Sequence, residues 1–195
     1  AYAARHIFKK EVLIVSSDKD FLQLVDDRIS VYQPTKKKMI QMGQVNELYG
    51  VTSNNLVYYR IFDGDKSDNI PGVRGIGPKT LINKCLFLQN DSLSMDSLME
   101  SVSQLDNEKL KNKILDNKSV LELNYKLMQL SDPDISSSIK SNVRAIINSP
   151  INQLNSFVFK KEFMIDKLYT AFKNIESWLL NTWSDLNNHS KQTIK

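Results

Sequence analysis

Cysteine is nearly absent: 195 residues contain one, Cys85. That excludes an internal disulfide framework and fits a reducing compartment. Cys85 lies in "TLINKCLFL", an apolar setting with no histidine placed beside it, so a buried structural thiol is expected and not a nucleophile. No apolar run approaches the length of a membrane span, and the opening "AYAARHIFKK" lacks the apolar core and cleavage site of a secretory signal. An excess of one charge is also missing. The net charge is +4, with 12 Lys/Arg against 9 Asp/Glu in residues 1–80 and 14 against 13 in 81–195. Such a balance permits nucleic-acid binding without demanding it. There is no internal repeat and no extended low-complexity segment. With 41% hydrophobic and 25% charged residues, the chain is long enough for one sizeable core or one and a half small domains.

What is present begins with "EVLIVSSDKDFLQLV". "VLIV" is a short, β-branched apolar run, expected to be a strand buried on both faces of a parallel sheet. Asp18 and Asp20 follow at its carboxyl end, the edge where ligands collect in open α/β sheets. The residues before it read as the tail of a helix, with Tyr2, Ala3, Ile7 and Phe8 at helical spacing. "ISVYQP" and "KKKMIQ", split by "TK", read as an edge hairpin. No parallel neighbour for "VLIV", with the crossover it would require, is found. Together with the missing initial methionine, this predicts the carboxy-terminal portion of a longer protein.

Downstream, "MGQVNELYG" reads as a short helix stopped by Gly50, and "TSNNLVYYRIF" as another begun by Thr52 or Ser53. Residues 80 to about 130 carry a helical pattern with Ser/Asp/Asn breaks. A loop "SDPDISSS", a helix "IKSNVRAIIN" and Pro150 precede the last block, "FKKEFMIDKLYTAFKNIESWLLNTW". This is expected to be one helix whose aromatics form core or docking surface, followed by a polar, frayed tail.

Two acidic clusters stand out. Asp18 and Asp20 in "SSDKD" are two residues apart, so on an extended strand end they point to one side. Asp65 and Asp68 in "GDKSDN" are three apart, expected on one face of a helix start. Gathered carboxylates repel, and a divalent cation with hard oxygen ligands compensates; Mg²⁺ typically takes one or two carboxylates and keeps several waters. Such a site can activate water and neutralise charge on a phosphodiester. Any one of these aspartates alone is more simply a helix N-cap. Two clusters beside the turn that follows favour metal. Asp63 adds a solvent-facing acid, and Asp26 and Asp27 read as a solvated helix end.

That turn is "IPGVRGIGPKTLINK", which holds Gly72, Gly75 and Gly77, with Pro78 at the expected first helical position. Glycines allow close backbone approach, and the helix opens with unsatisfied N–H groups that suit a phosphate. Lys79 and Arg74 add positive charge. Contacts of this kind reach the nucleic-acid backbone, so binding should be sequence-independent and salt-sensitive. The spacing fits neither a dinucleotide-binding fingerprint nor a Walker A loop.

Taken together, "VLIVSSDKDFLQLV" and "GDKSDNIPGVRGIGPKT" resemble the second acidic segment and the helix–three-turn–helix of the 5′ nuclease (flap endonuclease) superfamily. Members include the 5′→3′ exonuclease domain of bacterial DNA polymerase I and phage 5′ exonucleases. "NYKLMQLSDPDI" is similar to the carboxy-terminal domain of the T-even bacteriophage RNase H, which points to a phage-type member. The resemblance implies an α/β fold: the end of a parallel-sheet, PIN-like nuclease domain over residues 1–62, then a mostly helical domain over 63–195 with the helix–hairpin–helix at 65–88. It implies a two-metal phosphodiesterase using Mg²⁺ or Mn²⁺, with Asp18, Asp20, Asp65 and Asp68 as catalytic metal ligands. Gly72, Val73, Arg74, Gly75, Ile76, Gly77, Lys79 and Thr80 would grip DNA, and in relatives the carbonyls of this turn can hold K⁺.

The implied substrate is a duplex or RNA–DNA hybrid with a 5′ end or flap, cut by a cytoplasmic monomer (host cytoplasm if phage-encoded) without a membrane partner. Asp63 departs from the hydrophobic residue usual before "GD". The family's first strand aspartate, its Glu-x-Asp-Asp segment and its basic arch have no counterpart here, so about half of the metal ligands are expected in this chain. The alternatives are a non-catalytic DNA-gripping module and, last, a purely structural protein acting through its aromatic helix.

Overall fold

The computed structural model describes residues 9–89, 92–131, 135–149, 155–168, 170–171 and 174–192. The expected helix over residues 1–8, the Asp-Pro-Asp of the 131–138 loop and Pro150 lie outside these. The described residues fall into two compact units, 1–134 and 135–195. No described helix is long and apolar enough to cross a membrane.

The first unit opens with a three-stranded sheet in the order β1 (Val12–Val15), β2 (Ile29–Gln33), β3 (Lys38–Ile40). β2 and β3 form the expected hairpin, with Val31 opposite Ile40. β1 does have a parallel neighbour, contrary to expectation: it pairs with β2 from Val12↔Ile29 to Val15↔Tyr32. The link, residues 16–28, is about the dozen residues a parallel crossover needs, and a 3₁₀ turn over Lys19–Leu24 stands in for the crossover helix. Nor is β1 buried on both faces. Leu13 is 54% and Val15 62% exposed on one face, whereas Val12 and Ile14 on the other are half-buried.

α1 (Gln44–Tyr49) ends at Gly50, whose φ of 69° is the left-handed geometry that closes helices. α2 (Leu56–Asp63) starts later than Thr52 or Ser53 would give. Asn55 stands at its N-cap, but its side chain is buried, accepting from Leu93 N–H and donating to Leu88 O. Every residue from Leu56 to Phe62 is buried, as befits a helix that is mostly apolar all round and runs through the middle of a core. α2 packs on the Lys19–Leu24 turn, on α3 (Pro78–Lys84) and on α6 (Lys118–Met128), where Tyr58 and Tyr125 stack with centroids 5.4 Å apart. It thus crosses residue 62 without a break. Between α2 and α3 lies a small hairpin, β4 (Gly64–Asp65) and β5 (Ile70–Pro71).

α4 (Met95–Ser103) begins with a Ser94–Ser97 capping box, and α5 (Glu108–Asp116) with Asn107, whose side chain accepts from Leu110 N–H. Leu98 and Val102 of α4, Leu110 and Ile114 of α5 and Leu121 of α6 join the same core as α2 and α3. The sheet, the glycine turn and the helices after it make the α/β architecture expected.

In the second unit, α7 (Ser137–Asn148) is capped by Ser136. The block expected as one helix is two, α8 (Ser156–Ile165) and α9 (Ile175–Gln192). The aromatics join them: the Phe159 ring lies 5.5 Å from Trp178 and 4.9 Å from Trp183, and Lys160 pairs with Glu176. α9 continues through the polar tail as far as Gln192.

Candidate functional site

β1 delivers its carboxyl end to the Lys19–Leu24 turn, and α2 delivers its own to the β4–β5 hairpin. Where the two meet, ligand oxygens of Asp20, Asp65 and Asp68 lie within 4.8 Å of one another. Asp18 is not in this group. It is the N-cap of the 3₁₀ turn, its carboxylate accepting from Asp20 N–H at 2.9 Å. Asp63 is exposed at the end of α2.

Asp65 and Asp68 are brought together by the hairpin and not by a helix start, which corrects the expected local geometry. Two glycines decide this. A Cβ on Gly64 would lie 2.4 Å from Gly72 N, and one on Gly72 would lie 2.3 Å from Asp63 O. Only bare backbone lets the two strands close that tightly, and Gly64 also sits at φ 76°. Asn69, at φ 58°, completes the turn.

The residue missed by sequence reasoning is Arg60. Its side chain, 6% exposed, reaches out of α2 between two of the acids: Nη2 donates to Asp20 Oδ1 at 2.8 Å and to Asp65 Oδ2. Its Nε is buried without a hydrogen-bond partner among the described residues. A single arginine inside the otherwise apolar "LVYYRIF", five residues before an aspartate, was the available signal, since a buried charge demands a partner. Asn124 was also missed. From α6 it donates to Ile61 O at 3.0 Å and Pro71 O at 2.8 Å, tying the end of α2 to the hairpin.

The electrostatics follow from these contacts. Asp65 accepts from the hydroxyl and backbone N–H of Ser67 and then from Arg60, which together hold its carboxyl down at about 2. Asp20 moves the other way. Burial raises its pKa, Arg60 opposes this, and the charges of Asp18, Asp65 and Asp68 add to the rise. The two acids sharing one guanidinium are thus pushed apart, as expected when like charges crowd one place. Three carboxylates with hard oxygens at this spacing could hold a divalent metal ion.

The glycine turn lies directly after the hairpin. Val73 and Ile76 are buried in the core, and their N–H groups donate to Phe62 O at 2.8 Å and Val73 O at 3.0 Å, so these two can offer a ligand only their carbonyl oxygens. Gly75, at φ 76°, and Arg74 are exposed, as is Lys79, while Gly77 has open space where a Cβ would go. Pro78 opens α3 at N1, as expected. Cys85 closes α3; it is fully buried, and burial pushes its thiol up to about 11.

Comparison with known proteins gives the frame for this geometry. The family described as "5′-3′ exonuclease, C-terminal SAM fold" matches residues 51–148. The chain is 35% identical over 138 residues to the 5′-3′ exonuclease of Aquifex aeolicus, covering 69% of this chain and 45% of that protein. It is 35% identical over 120 residues to DNA polymerase I of Rhizobium leguminosarum, covering 62% of this chain and 11% of the polymerase. The chain therefore spans less than half the length of these relatives. Among solved structures, the bacteriophage T5 flap endonuclease in a pseudo-enzyme–product complex with DNA and metal ions shares the fold, with TM-score 0.59 and 19% identity, over 76% of this chain and 58% of that one.

Proposed function

The chain belongs to the 5′-3′ exonuclease, C-terminal SAM fold family, and from that membership we propose that it is the metal- and duplex-holding part of a 5′→3′ exonuclease or flap endonuclease. The substrates of this reading are flap, nicked or RNA-primed duplexes. The observation that carries it is the convergence of Asp20, Asp65 and Asp68 within 4.8 Å at the foot of the glycine turn. Asp20, Asp65 and Asp68 would hold Mg²⁺ or Mn²⁺, with Asp18 as an adjoining acid. When bound, the ions supply Lewis-acid stabilisation of the phosphoryl oxygens. Arg60 fixes the Asp20 and Asp65 carboxylates in position. A two-ion centre calls for more carboxylates than this group supplies, so the chain is read as carrying part of the ligand set. The Gly75 and Gly77 backbone, with Arg74, Lys79 and Thr80, would take duplex phosphates, on a turn that Gly72, Val73 and Ile76 shape; the Val73 and Ile76 N–H groups already donate to Phe62 O and Val73 O. K⁺ at the carbonyls of the turn is the finer part of the same reading.

One observation favours a second reading, a non-catalytic duplex-binding module: Arg60 already pairs with two of the three acids from within the chain. Mn²⁺ titration followed by electron paramagnetic resonance, beside a mobility shift of a 5′-labelled flap duplex, separates the two. The expected result is Mn²⁺ binding that weakens about tenfold or more in Asp65→Asn, with the duplex shift retained. A shift without any Mn²⁺ binding would favour the module, and no shift would sink both. In the same tubes, cleavage that needs Mg²⁺ or Mn²⁺ and disappears with chelator or in Asp20→Asn would assign the chemistry to these acids.

A further inference from the structure

Behind the glycine turn, α3 and α5 enclose a groove of about 370 Å³ that the acidic cluster does not touch. Four of its nine lining residues are lysines: Lys79 and Lys84 from α3, Lys109 and Lys113 from α5. On α5, Leu110 and Ile114 anchor the helix in the core. Lys109 and Lys113, one position earlier at the same four-residue spacing, form the adjoining stripe that faces α3. Like charges at that spacing destabilise a helix slightly. The groove offers nothing to offset them. None of its lining residues is acidic, and none of the four lysines forms an ion pair among the described residues, whereas the neighbouring Lys111 pairs with Glu108 at 2.5 Å.

A second observation separates this from a merely solvated basic face. The Lys113 ammonium is folded over the glycine turn, 2.7 Å from where a Cβ on Gly75 would be. Gly75 therefore gives the α5 cation a seat on the turn itself, at a φ of 76° that other residues avoid. The groove chemistry is also one-sided. Thr80, Asn83 and Asn107 add hydrogen-bonding groups between the cations, and no aromatic side chain lines it. Cations with neutral donors suit phosphate oxygens, and without a stacking platform the groove does not read unstacked bases.

We propose that the α3–α5 groove is a phosphate-backbone contact for duplex nucleic acid, in which Lys109 and Lys113 of α5 extend the grip of the glycine turn along one strand. This rests on the duplex-binding reading above and deepens it: the footprint continues past the turn onto a helix that carries none of its residues.

The test is fluorescence anisotropy of a labelled, blunt duplex against the full chain over a KCl series, for wild type, Lys109→Gln/Lys113→Gln and Lys111→Gln. Each phosphate-contacting lysine contributes about one to the slope of log K against log salt, so the double variant should lose about two. Lys111→Gln, which removes the lysine paired to Glu108, should keep the wild-type slope. Thermal melts by circular dichroism on all three confirm that folding is retained. Wild-type binding with an unchanged slope in the double variant would overturn the groove while leaving the duplex reading intact. Absence of wild-type binding to any duplex would overturn the duplex reading and the groove with it. Equal slope losses on an unstructured single strand of the same length would overturn the duplex assignment.

Discussion

Two clusters of like charge flank the Gly72–Gly77 turn, and the fold treats them in opposite ways. The acids at the end of α2 are balanced from inside: Arg60, nearly out of solvent, joins Asp20 and Asp65. The lysines between α3 and α5 have no partner of opposite charge among the described residues and open to water. Solvation explains the contrast. Charge withdrawn from water is costly unless the chain itself compensates it, whereas water and ions compensate an exposed group. Folding should therefore depend on the acidic cluster, and binding on the basic one.

The most severe way to break this comparison is Arg60→Ala. It strands two half-buried carboxylates and should cost about 3–5 kcal/mol of stability, read from urea unfolding. Lys109→Ala, on an exposed helix face, should change stability by less than about 0.5 kcal/mol. Similar losses in the two variants would refute the distinction. A cation that binds the folded state stabilises it by mass action, so Mn²⁺ should restore more stability to Arg60→Ala, where the acids lack their counter-ion, than to wild type.

The smaller steps of the backbone sharpen the same contrast. Gly72→Ala puts a methyl group against the Asp63 carbonyl and pries open the hairpin that holds Asp65 and Asp68. Overpacking of this kind costs about 1–3 kcal/mol, and Mn²⁺ binding should weaken with it. Gly77→Ala meets nothing within 4 Å, and Gly77 already has an extended backbone, so stability should hardly move. Equal effects of the two substitutions on a thermal melt would mean that the hairpin is not the rigid element described.

These details also mark what the sequence could reveal. Features set by a residue's own chemistry were legible: the Gly50 stop, Pro78 at N1, the β2–β3 hairpin and the buried Cys85. Features that depend on a distant partner were not. Nothing near Arg60 in the sequence says that its guanidinium meets an aspartate forty residues earlier, because only the packing of the Lys19–Leu24 turn on α2 brings Asp20 there. The spacing of Asp65 and Asp68 suits a helix start as well as a hairpin, and the choice was made by the contact between Gly64 and Gly72. The parallel β1–β2 pair was hidden because the crossover carries a 3₁₀ turn, too short to show a helical period.

The mildest test asks how far the field of the basic groove reaches. Cys85 ends α3, the helix that supplies Lys79 and Lys84, so a strong positive field would stabilise its thiolate and lower its pKa. Burial alone acts on it, and in the opposite direction, from 9.0 up to about 11. The sign of the stability effect follows. Above pH 9 the unfolded chain releases the thiol proton while the folded chain keeps it, so the unfolded state binds fewer protons and stability falls as pH rises from 9 toward 11. Cys85→Ala should remove that part of the slope, and at pH 8 the native thiol should react with a thiol reagent only as fast as the protein opens. Fast labelling of the folded chain at pH 8 would mean that the lysines reach the thiol through the core, and that the groove is far less screened by water than its open geometry requires.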